Sequence, residues 1–186
     1  MLLWKNIVPG PEPPIAIYAL VEVPKGSKNK YEISKKANII VLDRPLHSSV
    51  VYPHDYGLIP GTLAQDDDPL DVLILGDNPV HPLTLIQCRP VGVLIMEDEK
   101  GIDEKILAVD QYDPVYRGFK DLRDVPDHYL AEIQEFYRTY KNLENTAYSE
   151  VRQWQGALEA HQIILESIQR FRKEYGDIAT CDPMHD

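Results

Sequence analysis

The sequence predicts an α+β fold, a small β-barrel with helices packed outside it. Two observations carry that prediction. Through the first 110 of 186 residues, short apolar runs alternate with turn chemistry, the pattern of many short strands. From Tyr129 the apolar spacing becomes helical, so helices follow the strands instead of interleaving with them. A composition of 44% hydrophobic and 26% charged residues belongs to a folded chain rather than a disordered one. Residues 1–186 are accordingly expected to form a single domain.

Residues 9–14, PGPEPP, predict a stiff extended lead-in over 1–14, because proline fits neither a helix interior nor a central strand. IAIYALVEV (15–23) reads as a strand, PKGSKN as a polar loop, and KYEIS (30–34) as the return strand. NIIVLD (38–43), SVVY (49–52), DVLIL (71–75), TLIQCRPVGVLIM (84–96) and KILAVD (105–110) continue the series. The longest of these should bend or bulge near Pro90 or Gly92. Apolar positions 129, 130, 133, 136, 137 and 140 predict a first helix, with Asp124 and Pro126 as its start signal. Trp154, Ala157, Leu158, His161, Ile164, Leu165, Ile168, Phe171 and Tyr175 predict a second, stopped by Gly176. Residues 177–186 are expected to be a loose tail.

The net charge of −11 disfavours nucleic acid and anionic membrane as partners. Cys88 and Cys181 are far apart and form no C-x-x-C, so neither a disulfide framework nor a thiolate zinc site follows. The start, MLLWKNIVPG, lacks the pattern of a signal peptide, and no apolar run approaches the roughly 20 residues of a membrane span. A cytoplasmic protein is expected.

Asp66-Asp67-Asp68-Pro69-Leu70-Asp71 places four aspartates within six positions, just ahead of a buried strand. Asp and Pro also favour turns, and on this segment alone a polar turn is as good a reading as a cation site. A calcium loop of the EF-hand type fails, because Asp71 stands where glycine is needed and Asp77 where glutamate is. A second acidic cluster, Asp98 to Lys105, lies between two strand-like runs. If 99–102 form a hairpin loop, Asp98 and Asp103 oppose each other, a repulsion that a cation would relieve. Asp103 and Lys105 share a strand face, as do Lys30 and Glu32, and the loop at 24–29 brings Glu22 alongside the latter pair. Arg44, Tyr52, Tyr56 and the pair Tyr140-Lys141 have the right donors for phosphate oxygens, although tyrosines also cap barrel rims with no further role. His54-Asp55 resembles a doublet of metal phosphohydrolases, but it lies between Pro53 and Gly57 and not on a helix. The scattered histidines read as structural or exposed. No Gly-rich nucleotide loop is present.

In order along the chain, EVPKGSKNKYE (22–32), DR (43–44), YPHDYG (52–57), DDDPLD (66–71), RPVGVL (89–94), DEKGIDEK (98–105) and YK (140–141) resemble the family I soluble inorganic pyrophosphatases. That resemblance implies a five-stranded OB-like closed β-barrel with two main flanking C-terminal helices and the site at the barrel mouth. It implies hydrolysis of pyrophosphate to two phosphates with several Mg²⁺ ions per site. By position, Asp66, Asp71 and Asp103 are implied as ligands of the first metal, with Asp71 shared with the second. Asp98 and Asp103 are implied for a third metal, and Glu22 for a fourth. Asp68 is the implied general base. Lys30 and Tyr56 are the implied contacts to the phosphoryl under attack, and Arg44, Tyr140 and Lys141 those to the leaving phosphate. Glu32, Tyr52 and Lys105 support the site. Asp67 stands where the family often has glycine or asparagine, and is read as a turn residue without chemical part. Short members of the family form hexamers and longer ones dimers, so the length here implies a homohexamer.

Such chemistry agrees with the donors. Hard oxygen ligands without Cys or His suit Mg²⁺, and cations are needed to bring a polyanion and its attacker together. Two other readings are an OB-fold module binding oligonucleotides or another anion without catalysis, and a hydrolase of organic phosphates or polyphosphate using the same site.

Overall fold

In the computed structural model, which describes residues 3–99, 101–144, 149–178 and 182–184, most strands are apolar on both faces, as the run DVLIL foretells. Successive side chains alternate between two clusters. Leu73, Leu75, Leu107 and Val109 enter one, with Ile133, Phe136 and Tyr137 of helix α2 (Asp127–Thr139). Val72, Ile74, Ile106 and Ala108 enter the other, with Ala160, Ile164 and Ile168 of helix α3 (Ala157–Tyr175). The strand wall is therefore buried from both sides, which a period of two requires when both faces are apolar.

The strands are β1 (Ile17–Val23), β2 (Asn29–Ile33), β3 (Ile40–Pro45), β4 (Asp55–Leu58), β5 (Asp71–Leu75), β6 (Leu85–Asp98), β7 (Gly101–Asp110) and β8 (Ser149–Gly156). Neighbours run β1-β4-β5-β7-β6, and β6 pairs back with β1, closing a ring of five strands. The expected closed barrel with two main C-terminal helices is thus present. β8 adds to the outside edge through β6, and β2 and β3 form a separate hairpin. The pairing of β6 with β7 slips between Pro90 and Gly92, as expected there. The extra residue turns Val91 into the same cluster as Leu94 and Met96.

Several expectations need correction. SVVY (49–52) is not a strand: Tyr52 N–H donates to Ser27 O (3.0 Å) and its carbonyl accepts from Gly26 N–H (2.8 Å). Those partners belong to a loop, so no ladder forms, and Pro53 has no N–H to extend one. β8 has no counterpart in the sequence reading, because its side chains are mostly half-exposed or exposed. Trp154 lies on β8 opposite Leu94 and not on the second helix, which starts after Gly156. β7 begins at Gly101 instead of Lys105, so the hairpin turn is two residues and not four, with Lys100 outside the described residues. Asp98 then pairs with Gly101, and Asp103 with Met96. The two aspartates share a face but stand diagonally.

Nor are the ends as expected. Within 1–14, whose first two positions lie outside the described residues, Leu3–Asn6 form a short helix, α1. Its Trp4 is buried. Ile15 and Ala16 N–H both donate to Glu12 O at 2.9 Å, which folds the proline-rich stretch into a turn. In the tail, Ile178 packs with Trp4 and Phe171, and Asp182 accepts from the Tyr18 hydroxyl at 2.5 Å. These described positions are docked and not loose. Residues 179–181, with Cys181, and 185–186 lie outside the described residues.

Gly57 in β4 shows how tightly the ring closes. A Cβ there would sit 2.1 Å from Leu20 O and 2.9 Å from Val21 Cα, both backbone atoms that cannot swing aside. Gly57→Ala is therefore expected to destabilise the fold by about 1–3 kcal/mol or more, seen as a lower urea midpoint. An unchanged midpoint would contradict this packing.

Candidate active site

Two carboxylates and an ammonium meet because of strand register. β5 and β7 pair in parallel with Asp71 set against Lys105. Asp103 lies two residues before Lys105 and so on the same face. Lys105 Nζ is bonded to Asp71 and lies 2.8 Å from Asp103. Burial works against its charge, but the two carboxylates outweigh burial and hold its pKa well above the ordinary lysine value. The Tyr56 hydroxyl, from β4, is within hydrogen-bonding reach of Asp71.

Around this centre lies one cavity of about 490 Å³. Its wall includes every residue that the family resemblance assigns to the site: Glu22, Lys30, Glu32, Arg44, Tyr52, Tyr56, Asp66, Asp68, Asp71, Asp98, Asp103, Lys105, Tyr140 and Lys141. Asp66 and Asp68 come from the loop between β4 and β5. Asp68 N–H donates to Asp66 Oδ1 at 3.1 Å, and Ala64 N–H donates to Asp68 O at 2.7 Å. The turn needs a left-handed residue at Asp67, whose φ is +65°. Asp and Asn tolerate that conformation. Asp68 forms an ion pair with Lys35. Lys141 Nζ lies 3.3 Å from Asp98 and 3.4 Å from Glu99.

The hairpin β2–β3 supplies a cationic side. Lys30 and Arg44 are directly opposed, which alone would repel. The ladder slips between Lys30 and Tyr31, so Asp43 is an extra residue on β3. Its carboxylate lies 3.1 Å from Lys30 Nζ and 2.5 Å from Arg44 Nη1, and Glu32 lies 2.5 Å from Lys30. Burial works against the charge of Lys30, but Glu32 and Asp43 outweigh it and raise its pKa. Burial pushes the phenols of Tyr52, Tyr56 and Tyr140 up, so all three remain hydroxyl donors.

Sequence reasoning gave no role to Lys35, Asp43, Glu99, Glu104 or Glu144. Asp43 was visible only as half of the DR pair, and Glu99 as a hairpin tip. Nothing in the sequence signals that Glu144 accepts from Arg44 Nε at 3.0 Å. His54 lies outside the cavity. It is buried edge-on against Tyr129, and burial lowers its pKa to about 4. Asp55 accepts from the N–H groups of Lys25 (2.7 Å) and Val80 (3.2 Å), so this doublet ties loops together.

Among the described residues, no three His, Cys, Asp or Glu side chains are set together as an ion would hold them. Lysines balance most of the carboxylates instead. The donor chemistry nevertheless fits a hard divalent cation: carboxylate oxygens from three directions, with no cysteine or histidine in the wall.

The chain is similar to known proteins. A family model described as inorganic pyrophosphatase matches residues 19–172. Soluble inorganic pyrophosphatase 2 of Chlamydomonas reinhardtii is 41% identical over 172 residues, 92% of this chain and 89% of that protein. The inorganic pyrophosphatase of Aeropyrum pernix is 44% identical over 169 residues, 90% of this chain and 96% of its own. The crystal structure of inorganic pyrophosphatase from Thermus thermophilus aligns with a TM-score of 0.89 at 40% identity, covering 91% of this chain and 99% of that one.

Glu22 makes the site sensitive to pH. Burial pushes its carboxyl up from 4.5 to about 8, although Ile33 N–H, donating to it at 2.7 Å, pulls the other way. A raised folded pKa means that the folded state binds the proton more tightly. Its contribution to stability is complete below pH 4.5 and is lost as pH rises through 8, at about 1.4 kcal/mol per unit between the two. In the presence of a chelator, the urea midpoint of wild type should fall relative to Glu22→Gln between pH 5 and 9. Parallel profiles would refute the buried, proton-holding Glu22.

Proposed function

This chain belongs to the inorganic pyrophosphatase family, and on that premise we propose that it hydrolyses pyrophosphate to two orthophosphates with several Mg²⁺ ions per site. The observation that carries this reading is the meeting of the acidic cluster and the phosphate-binding donors in one cavity. Asp66, Asp71, Asp98, Asp103 and Glu22 would hold the Mg²⁺ ions, which would supply charge screening for the polyanion and a lowered pKa for water.

The chain's own residues do the rest. Asp68 accepts a proton from the attacking water. Asp68 also forms an ion pair with half-exposed Lys35. The Lys30 ammonium and the Tyr56 hydroxyl bind the phosphoryl group under attack. Arg44, Tyr140 and Lys141 hold the leaving phosphate and stabilise the charge it gains. Glu32 keeps Lys30 in place. Tyr52 packs against Tyr56 with ring centroids 5.5 Å apart. Lys105 remains charged between Asp71 and Asp103 and limits their repulsion.

An oligonucleotide-binding module is disfavoured, since the acids line the groove where such a module needs cations. The proposal extends to one domain over 1–186, assembled as a homohexamer in the cytoplasm and working without nucleic acid or membrane partners. Among the described residues, no helix is long and apolar enough to cross a membrane. Sedimentation of the pure protein tests the assembly, and a monomer or dimer would overturn it.

Phosphate release from Mg-pyrophosphate, with and without chelator, tests the activity. Release should stop when the metal is removed. Asp68→Asn should keep the urea midpoint and lose about 10²–10⁴-fold in kcat, the worth of a general base. Turnover near wild type would show that another group takes the proton.

A further inference from the structure

The three residues read above as contacts to the leaving phosphate come from two distant parts of the chain. Arg44 is on β3, whereas Tyr140 caps the C-terminus of α2 and Lys141 follows it. Glu144 joins them. Its Oε1 accepts from Arg44 Nε at 3.0 Å, across 100 positions of sequence. Its own N–H donates to Lys141 O at 2.8 Å, and Asn142 N–H donates to Thr139 O at 3.0 Å, so the turn carrying it is fixed to the end of α2. His47 Nδ1, three residues beyond Arg44, lies 3.3 Å from Leu143 O and ties the same two segments again. The Glu144 side chain is only 13% exposed and lines the cavity.

An arginine has five N–H donors in a rigid planar fork. Anchoring Nε fixes the plane of the guanidinium, and Asp43 takes one bond from Nη1. Among the described residues, the rest of the fork stays available to an oxyanion. A partly exposed ion pair adds little to stability, so the consequence of this bond lies in orientation. We propose that Glu144 is a positioning residue: it holds the Arg44 guanidinium in register with Tyr140 and Lys141, so that one phosphate group meets all three. This rests on the reading of Arg44 as a phosphate contact.

Steady-state hydrolysis of Mg-pyrophosphate and competitive inhibition by inorganic phosphate test it, on wild type, E144A, E144D, E144Q, R44A and R44A/E144A. E144A should raise both KM and the inhibition constant for phosphate about tenfold, the loss expected for one hydrogen bond to a charged group. E144D keeps the charge but is one carbon too short to reach Nε, so it should behave like E144A. E144Q keeps an acceptor of the right length and should recover most of the loss. In the R44A background, E144A should add nothing. Normal E144A and E144D beside an impaired R44A would overturn the inference alone, as would full additivity in the double variant. A lower KM for E144A would also overturn it, by showing that the carboxylate competes with phosphate for Arg44. Wild-type kinetics for R44A would overturn the reading of Arg44, and the inference with it.

Discussion

Lys105 is 6% exposed, and its ammonium rests against Asp71 and Asp103. Neither carboxylate finds it by a flexible reach. The parallel pairing of β5 and β7 sets Asp71 against Lys105, and the pleat puts Asp103 on the same face. A slip of one residue in that ladder would turn Lys105, and Asp103 with it, toward the α3 side among Val72, Ile164 and Ile168, and would leave Asp71 on the other face without its cation. Burying a lone charge costs far more than burying a paired one. The triad therefore works as a register lock as well as part of the site.

A charge of −11 is an awkward endowment for an enzyme with an anionic substrate, and the arrangement of the site addresses it locally. Asp43 separates Lys30 from Arg44, and Lys141 faces Asp98 and Glu99. The cations are thus held near the acids that cancel them, instead of forming an open positive patch. Such a surface has little pull on nucleic acid. On the proposed function, a small, densely charged phosphate that arrives with its own cations can engage both sets. Selectivity then comes from pairing of charges at close range more than from a long-range field.

What the sequence disclosed follows what local chemistry can reveal. The continuous apolar run at 71–75 and the Pro90–Gly92 break are visible because they depend on nearby residues alone. Asp67 was legible as a turn residue for the same reason, and its φ of +65° explains why the position favours glycine, Asn or Asp. β8 was hidden, since its half-exposed residues leave no alternation, and Trp154 happened to fall in phase with the helix that follows. The first turn of β7 was hidden by its acids. Glu144 and Lys35 could not be found at all. Each acts through a partner far away in sequence, and only the fold brings them close.

The loop that carries Asp66 and Asp68 poses a sharper problem than the strands do. Loops are mobile, yet a base must be held to about half an ångström to be useful. Here the restraint comes from behind, out of helix α3. Leu63 N–H donates to Ser167 O at 3.0 Å, and Arg170 Nε donates to Leu63 O at 2.9 Å. Thr62 Oγ1 donates to Ile59 O and accepts from Leu70 N–H, which closes the loop on itself. Gln65 donates to Oε1 of Glu104 at 3.2 Å, and the other carboxylate oxygen of Glu104 is buried with no hydrogen-bond partner among the described residues. The aspartates thus stand between a rigid strand on one side and a helix on the other. Packing of α3 against the barrel, which contributes none of the proposed phosphate contacts, is what keeps the proposed base in place.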